Sequence, residues 1–389
     1  MKRVYLDNAA TTYVSNEVLT EMLPVFNHTY GNSSSLHTFG RESVALLDKA
    51  RDRVSHAINA SSSEIYFTSG GTESNNWAII GLALANKAKG NHIITSQIEH
   101  RSILDACKYL ETIGFKVTYL PVDQNGFVSI VDLIHNLNDD TILVSIMAAN
   151  NEIGVIQNLQ TIAKITHEKN AIFHTDATQA MGAVSIDVKS IGIDALTMSA
   201  HKIYGPKGTG ALYVRKGVKI NNLILGGNQE KGKRSGTVNV AGAVGLGKAV
   251  EIAVRDMSVN NKKLKTMREY FVSNISKQIE DIKINCSTVQ KLPGLVNISF
   301  DYIDGEALMT LLDLDGIAVS TGSACSVGDI EPSHVLKAIG LSQEQSKGSI
   351  RFAFGKSTTK DEVDYVISSL TKNVKKLRDM SPLTKKSKK

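Results

Sequence analysis

Cysteine is scarce in this sequence. Its 389 residues include only Cys107, Cys286 and Cys325, with no close spacing between any two. That excludes both a disulfide framework and a zinc ribbon. No apolar run reaches the roughly 18 uncharged residues that mark a membrane-spanning helix. The opening MKRVYLDNAATT has a Lys-Arg pair with no apolar stretch behind it, so no signal peptide is expected. A cytoplasmic protein with no membrane partner is the expectation. Aromatic-interleaved basic stripes and nucleic-acid motifs are also lacking. The net charge of +6 does not change this, because four of those charges are Lys385, Lys386, Lys388 and Lys389 in the terminal TKKSKK, and 6 − 4 leaves +2. Residues 381–389 read as a disordered basic tail, and no direct nucleic-acid partner is expected.

Ordinary globular composition fills the rest, with 42% hydrophobic and 21% charged residues, and at about 150 residues per domain the length suggests two domains. In 43–58, SVALLDKARDRVSHAI, helical spacing places Val44, Leu47, Val54 and Ile58 on one face. Strands are predicted at 64–68, 92–96, 115–122, 141–147, 171–177, 194–200 and 210–214. Helical patterns lie between several of them, as at 75–88, 101–113 and 158–169. Seven strands alternating with helices predict an α/β domain over 15–255 with a mostly parallel seven-stranded sheet. After about residue 255 the texture changes to a long amphipathic helix and a new strand, LPGLVNISF. Residues 1–14 and 256–380 are assigned to a smaller α+β domain.

In open α/β sheets ligands gather at the carboxyl ends of strands. Strand 64–68 runs into SGGTESNN, where Gly71, Thr72 and free N–H groups opening a helix would cradle a phosphate; the alternative is a plain turn with Thr72 as N-cap. Strand 171–177 carries Asp176 in HTDATQ, a carboxylate needing a buried partner. A cationic ring nitrogen, as in pyridoxal 5'-phosphate, would serve; a metal pair or a structural salt bridge is the alternative, and no His/Cys cluster supports a metal. Strand 194–200 ends in SAHKIYGPKGTG, where Lys202 is placed to form a Schiff base. Lys207, inside the following turn, is expected to face solvent.

These pieces lie in ten ordered motifs: YLDNAATT (5–12), YGNSSSLHTFGR (30–41), FTSGGTESNN (67–76), IEHRSI (98–103), ANNEIGVIQ (149–157), HTDATQAMG (174–182), SAHKIYGPKGTGALYV (199–214), GGNQEKGKRSGTVN (226–239), STGSAC (320–325) and SIRFAFGKSTT (349–359). Through them the chain, up to about residue 370, resembles the class V aminotransferase superfamily and, within it, the cysteine desulfurases of the NifS/IscS type. The resemblance implies a fold type I transferase that binds pyridoxal 5'-phosphate and converts L-cysteine to L-alanine. Lys202 would carry the cofactor, His100 would stack on its ring and move protons, and Asp176 would face the ring nitrogen. Gln179 would donate to the phenolic oxygen. Gly71, Thr72, Ser199 and His201 would hold the phosphate, together with Thr237 from the second subunit of a homodimer. Asn151 and Arg351 would grip the substrate carboxylate. Without the family, His100 reads as a surface or capping residue and Arg351 as a surface charge at a strand end.

Cys325, in the Ser-, Gly- and Ala-rich STGSACSVGD, reads as a thiol on an exposed loop. The resemblance makes it the thiolate that takes the substrate sulfur as a persulfide and hands it to an acceptor protein, an iron–sulfur scaffold or a tRNA thiolase. It could also be a shared iron–sulfur ligand with a scaffold. The longer loop matches the housekeeping group. Cys107 is expected to be a buried helix residue. Cys286 is expected to begin a strand with no electropositive neighbours. Departures from the family pattern are Ser33 for a usual Pro, Ala353 for Ser, and Ala148 where many members carry His. A selenocysteine lyase or other β-lyase on the same fold is the alternative enzyme, and a non-catalytic scaffold in a sulfur-transfer complex is the alternative of another class.

Overall fold

The computed structural model describes residues 2–287, 290–321 and 333–381. Cys325 and nearly all of the expected tail lie outside the described residues. The chain opens with β1 (Val4–Tyr5), then runs through β2 (Ile65–Thr68), β3 (His92–Ser96), β4 (Lys116–Leu120), β5 (Thr141–Ser145), β6 (Ile172–Asp176), β7 (Ala195–Ser199) and β8 (Gly210–Val214). Strands β2 to β8 form one seven-stranded sheet in the order β2-β8-β7-β6-β5-β3-β4. Only β8 runs against its neighbours, so the mostly parallel seven-stranded sheet expected from the sequence is the one observed.

The strand residues show why this sheet needs two covers. Every position of β3, β5, β7 and β8 is buried, as in a parallel sheet packed on both faces. Successive residues serve opposite faces: Ile94 and Val144 join one apolar cluster with Val54, Ile58 and Leu246. Their neighbours Ile93 and Leu143 join another with Trp77, Ile79 and Leu110. The predicted helical face at 43–58 is corrected at one position. Leu47, Val54 and Ile58 are buried, but Val44 is 37% exposed; it sits about 60° round the helix from Leu47 and falls off the stripe. The helix expected over 75–88 begins at Gly71 and is interrupted by a π-helical turn, Trp77–Gly81. Gly81 passes so close to Asn221 that a Cβ there would come within 2.7 Å of its carbonyl oxygen.

The later chain adds β9 (Ile282–Asn285), β10 (Leu295–Phe300), β11 (Ile317–Ala318), β12 (Ser320–Thr321) and β13 (Ser349–Ala353). Strands β12-β13-β10-β9 form a second, antiparallel sheet. Helices Met257–Gln278 and Lys360–Met380 cover it through Phe271, Ile275, Val366 and Leu370. The N-terminal segment returns here, because β1 pairs with β11 and Val4 and Leu6 join this cluster. Leu292, Leu295 and Ala353 pack instead with the core of the large sheet, giving the two parts an apolar seam.

Cys107 is buried in helix Arg101–Thr112, and burial pushes its thiol up to about 12. Cys286 departs from expectation. It follows β9 rather than beginning it, with a positive φ of 54°, and the Lys291 ammonium donates to its carbonyl oxygen at 2.7 Å. The expected lack of electropositive neighbours does not hold, because the Lys291 ammonium lies against the Cys286 backbone.

Candidate active site

A cavity of about 380 Å³ opens at the carboxyl ends of the large sheet, against the seam. Its wall includes Gly71, Thr72, His100, Asn151, Asp176, Gln179, Ser199, His201, Lys202 and Arg351. Of the residues singled out in the sequence, Thr237 is not in that wall and is exposed on its own chain, and Cys325 lies outside the described residues. Lys207 is exposed and outside the wall.

Gly70, at φ 152° and ψ −176°, caps the helix that follows β2, and Thr72 therefore sits inside the first turn rather than at the N-cap. That backbone is open to glycine and strained for other residues. Gly71 keeps the corner open: a Cβ there would stand 3.2 Å from Thr178 Oγ1, a tight contact, and 3.6 Å from Ser199 Cβ. Thr178 Oγ1 is itself buried without a hydrogen-bond partner. An unpartnered hydroxyl and a missing side chain thus meet in one corner of the wall that His201 also lines.

Asp176 ends β6 and is buried. Its Oδ2 accepts from Asn75 Nδ2 at 2.7 Å and its Oδ1 from the Thr178 N–H at 2.9 Å. His100 is both a cap and a cavity residue. It opens helix Arg101–Thr112, and its Nδ1 accepts from the Ser102 N–H at 3.2 Å. In the neutral ring this leaves the proton on Nε2. Burial holds its pKa below the usual imidazole range, with Asp176 pulling the other way. His201, desolvated and beside Lys202 and Lys207, is pushed down to about 4 and is neutral at physiological pH.

Lys202 follows β7 on a 3₁₀ turn, and its Nζ donates to the carbonyl oxygens of Ala9 and Ala10 at 2.6 and 2.7 Å. Gln179 Nε2 also donates to Ala9 O, at 2.9 Å. Arg351, on β13, is buried, not a surface charge. Its Nη1 donates to Asn151 O at 3.0 Å and its Nη2 to Asp7 Oδ1 at 2.7 Å. Asn151 is presented by a turn that Asn150 ties down: Asn150 Oδ1 accepts from the N–H groups of Glu152 and Ile153.

Asn75, Thr178, Asp7 and the Ala9–Ala10 backbone are site elements that sequence reasoning missed. Thr178 had a signal, since an Asp commonly accepts from the N–H two residues on. Asn75 and Asp7 had none, because their partners are set by tertiary register. Two buried carboxyls stand behind the wall. Glu99 Oε1 accepts from Ser96 Oγ at 2.6 Å and from the Met147 N–H at 2.9 Å, and burial, with Asp176 nearby, raises its pKa to about 8. Glu152 Oε2 accepts from Ser333 Oγ at 2.5 Å, and burial raises its pKa to about 7.

Glu99 gives a stability prediction. Its folded pKa lies above its unfolded value, so its cost is absent below the unfolded carboxylate range and grows as pH rises toward 8. Glu99→Gln keeps the Oε1 acceptor and cannot ionise. Its melting temperature, followed by circular dichroism, should equal the wild type's at low pH and exceed it by roughly 5 °C above pH 8. A difference that does not change with pH would show that Glu99 ionises freely.

Comparison with known proteins adds to this geometry. Residues 4–366 match the Aminotransferase class-V family. The chain is 53% identical to the cysteine desulfurase IscS of Clostridium botulinum strain Hall over 384 residues, covering 98% of this chain and 97% of that protein. Among solved structures, a NifS-like protein superposes with a TM-score of 0.91 at 40% identity, covering 97% of this chain and all of the other. SspA in complex with cysteine superposes with a TM-score of 0.81 at 34% identity, over 92% of this chain and all of that one.

Proposed function

The chain belongs to the aminotransferase class-V family, and from that premise we propose that it is a cysteine desulfurase using pyridoxal 5'-phosphate, with Cys325 as the sulfur acceptor. The observation that carries this is the cavity wall. Ten residues from six separate motifs line one space, and the corner at Gly71, Thr72, Thr178, Ser199 and His201 suits a phosphate. The fit extends to charge. Asp176, fixed by Asn75 and Thr178, suits a cationic ring nitrogen at the other end of such a group. When bound, the cofactor supplies an aldehyde for amines and an electron sink for the bonds at the substrate Cα.

The chain's own residues do the rest. Lys202 is the amine that holds the cofactor and yields to substrate. His100, neutral with its proton on Nε2, exchanges protons at the face of the cavity. Arg351 and Asn151 hold the substrate carboxylate in this reading, and both line the cavity; the relative SspA was solved with cysteine. The overall reaction balances as L-cysteine plus the Cys325 thiol giving L-alanine plus a Cys325 persulfide. The outer sulfur then passes to an acceptor protein for iron–sulfur assembly or tRNA thiolation. A thiol cycle of this kind suits a reducing cytoplasm. Among the described residues no helix is long and apolar enough to cross a membrane.

We place Thr237 in the partner's phosphate site, which makes the protein a homodimer with two equivalent sites. Two features support it. Thr237 is exposed on its own chain, and the first two long helices with the loop between them expose Leu23, Phe26, Tyr30, Leu36 and Phe39, with the Tyr30 and Phe39 rings 5.8 Å apart. Protein reconstituted with cofactor and incubated with L-cysteine and dithiothreitol should release alanine and sulfide in equal amounts, from a species sedimenting at twice the mass of one chain. Pyruvate and ammonia in place of alanine would reassign the enzyme as a β-lyase, and a fully active monomer would remove Thr237 from the site.

A further inference from the structure

Arg351 reaches the cavity already paired. The segment after β1 lies parallel to β13: Ala353 N donates to Leu6 O at 2.7 Å, Asn8 N donates to Ala353 O at 3.2 Å, and Asp7 stands opposite Ala353. Arg351 is two residues before Ala353, on the same face of the strand. This register brings Asp7 Oδ1 to 2.7 Å from Arg351 Nη2, with the arginine side chain 4% exposed and the aspartate 17%. A second carboxyl that acts on Arg351 is Glu152, whose Oε2 accepts from Ser333 Oγ. Asn151 O occupies Nη1, and Nε is buried without a partner.

A buried guanidinium without a counter-ion would be costly, and Asp7 supplies one in the free protein. The substrate brings a second carboxylate to the same group. We infer that Asp7 is an internal rival of the substrate carboxylate for Arg351, a specificity residue that weakens the hold on L-cysteine and on the product L-alanine alike. The benefit is release, since an alanine held by an uncompensated arginine would leave slowly. The same short segment carries Ala9 O and Ala10 O, which hold Lys202 Nζ, so one stretch of chain positions both cations of the site, Arg351 through Asp7 and Lys202 through two backbone carbonyls.

This rests on the reading of Arg351 as the carboxylate grip, and the experiment separates the two. Holoenzyme of the wild type, Asp7→Asn, Asp7→Glu and Arg351→Lys is titrated calorimetrically with L-alanine and with ethylamine, which lacks the carboxylate, and KM for L-cysteine is measured at the same pH. Asp7→Asn keeps the shape and the acceptor but removes the charge. It should tighten L-alanine and lower KM for L-cysteine by about tenfold, the scale of one partly screened ion pair. Ethylamine binding should stay within about twofold. Asp7→Glu, which keeps the charge, should stay near the wild type and controls for damage to the fold. Unchanged or weaker L-alanine binding in Asp7→Asn, with Arg351→Lys still weakening it, overturns the rivalry alone. Unchanged L-alanine binding in Arg351→Lys overturns the grip and the inference together.

Discussion

Lys202→Ala should abolish alanine release from L-cysteine, by about a thousandfold or more, while leaving a folded protein. The expectation follows from position. Lys202 is the amine that the turn after β7 delivers into the cavity wall, with its Nζ against the Ala9 and Ala10 carbonyls. The truncation removes an amine that must bond to the cofactor and later reclaim it from product. The two carbonyls lose a donor, but they border a cavity that water can enter, so the stability cost stays near that of one hydrogen bond, about 1 kcal/mol. Lys207→Ala is the internal control. Lys207 is exposed, outside the cavity wall, and reaches Thr12 O only at 3.4 Å; its loss should change the rate by less than about twofold. Borohydride reduction of the wild-type holoenzyme should fix the cofactor to the peptide holding Lys202, and label on Lys207 would reverse the assignment.

The parts of this site that could be read in the sequence are those whose chemistry is local. Asp176 and Lys202 each end or follow a short buried strand, a position that marks a ligand edge in any parallel sheet. Gly70 and Gly71 announce a turn, which Gly70 enters at a positive φ that strains other residues. The strands themselves were legible because a sheet covered on both faces needs continuous apolar runs. What stayed hidden depends on distant register. Asp7 meets Arg351 across 344 positions of sequence, and no spacing rule reaches that far. Asn75 finds Asp176 across 101. Glu99 and Glu152 look like turn carboxylates, and only the closed core reveals them as buried, protonation-shifted groups. The π turn at Trp77 also has no local signature; it is fixed by the Trp77 Nε1 bond to Asn221 O, at 2.8 Å.

Cys325→Ser should stop alanine and sulfide production, with a fall of about a hundredfold or more, while L-cysteine and the cofactor still bind. The serine hydroxyl is a far poorer nucleophile toward sulfur than a thiolate. Although Cys325 lies outside the described residues, its neighbours bound its reach. Ser320 pairs in register with Arg351, and Thr321 with Ile350, so the chain leaves the sheet at the cavity wall. Cys325 is four positions beyond Thr321, a span of no more than about 14 Å. On the other side the chain returns at Ser333, bonded to Glu152 next to Asn151. The described residues on both sides of Cys325 thus lie beside neighbours of the cavity wall, which supports the expectation that its thiol reaches a sulfur held there. The other cysteines lack that access: Cys107 is fully buried and Cys286 is 3% exposed. The substitution is near-isosteric, and stability should move by no more than about 0.5 kcal/mol. Mass mapping of the wild type after one turnover should therefore find the added sulfur on Cys325. Undiminished turnover in Cys325→Ser, or a persulfide on Cys107 or Cys286, would leave the lyase chemistry standing and remove the transfer step from this protein.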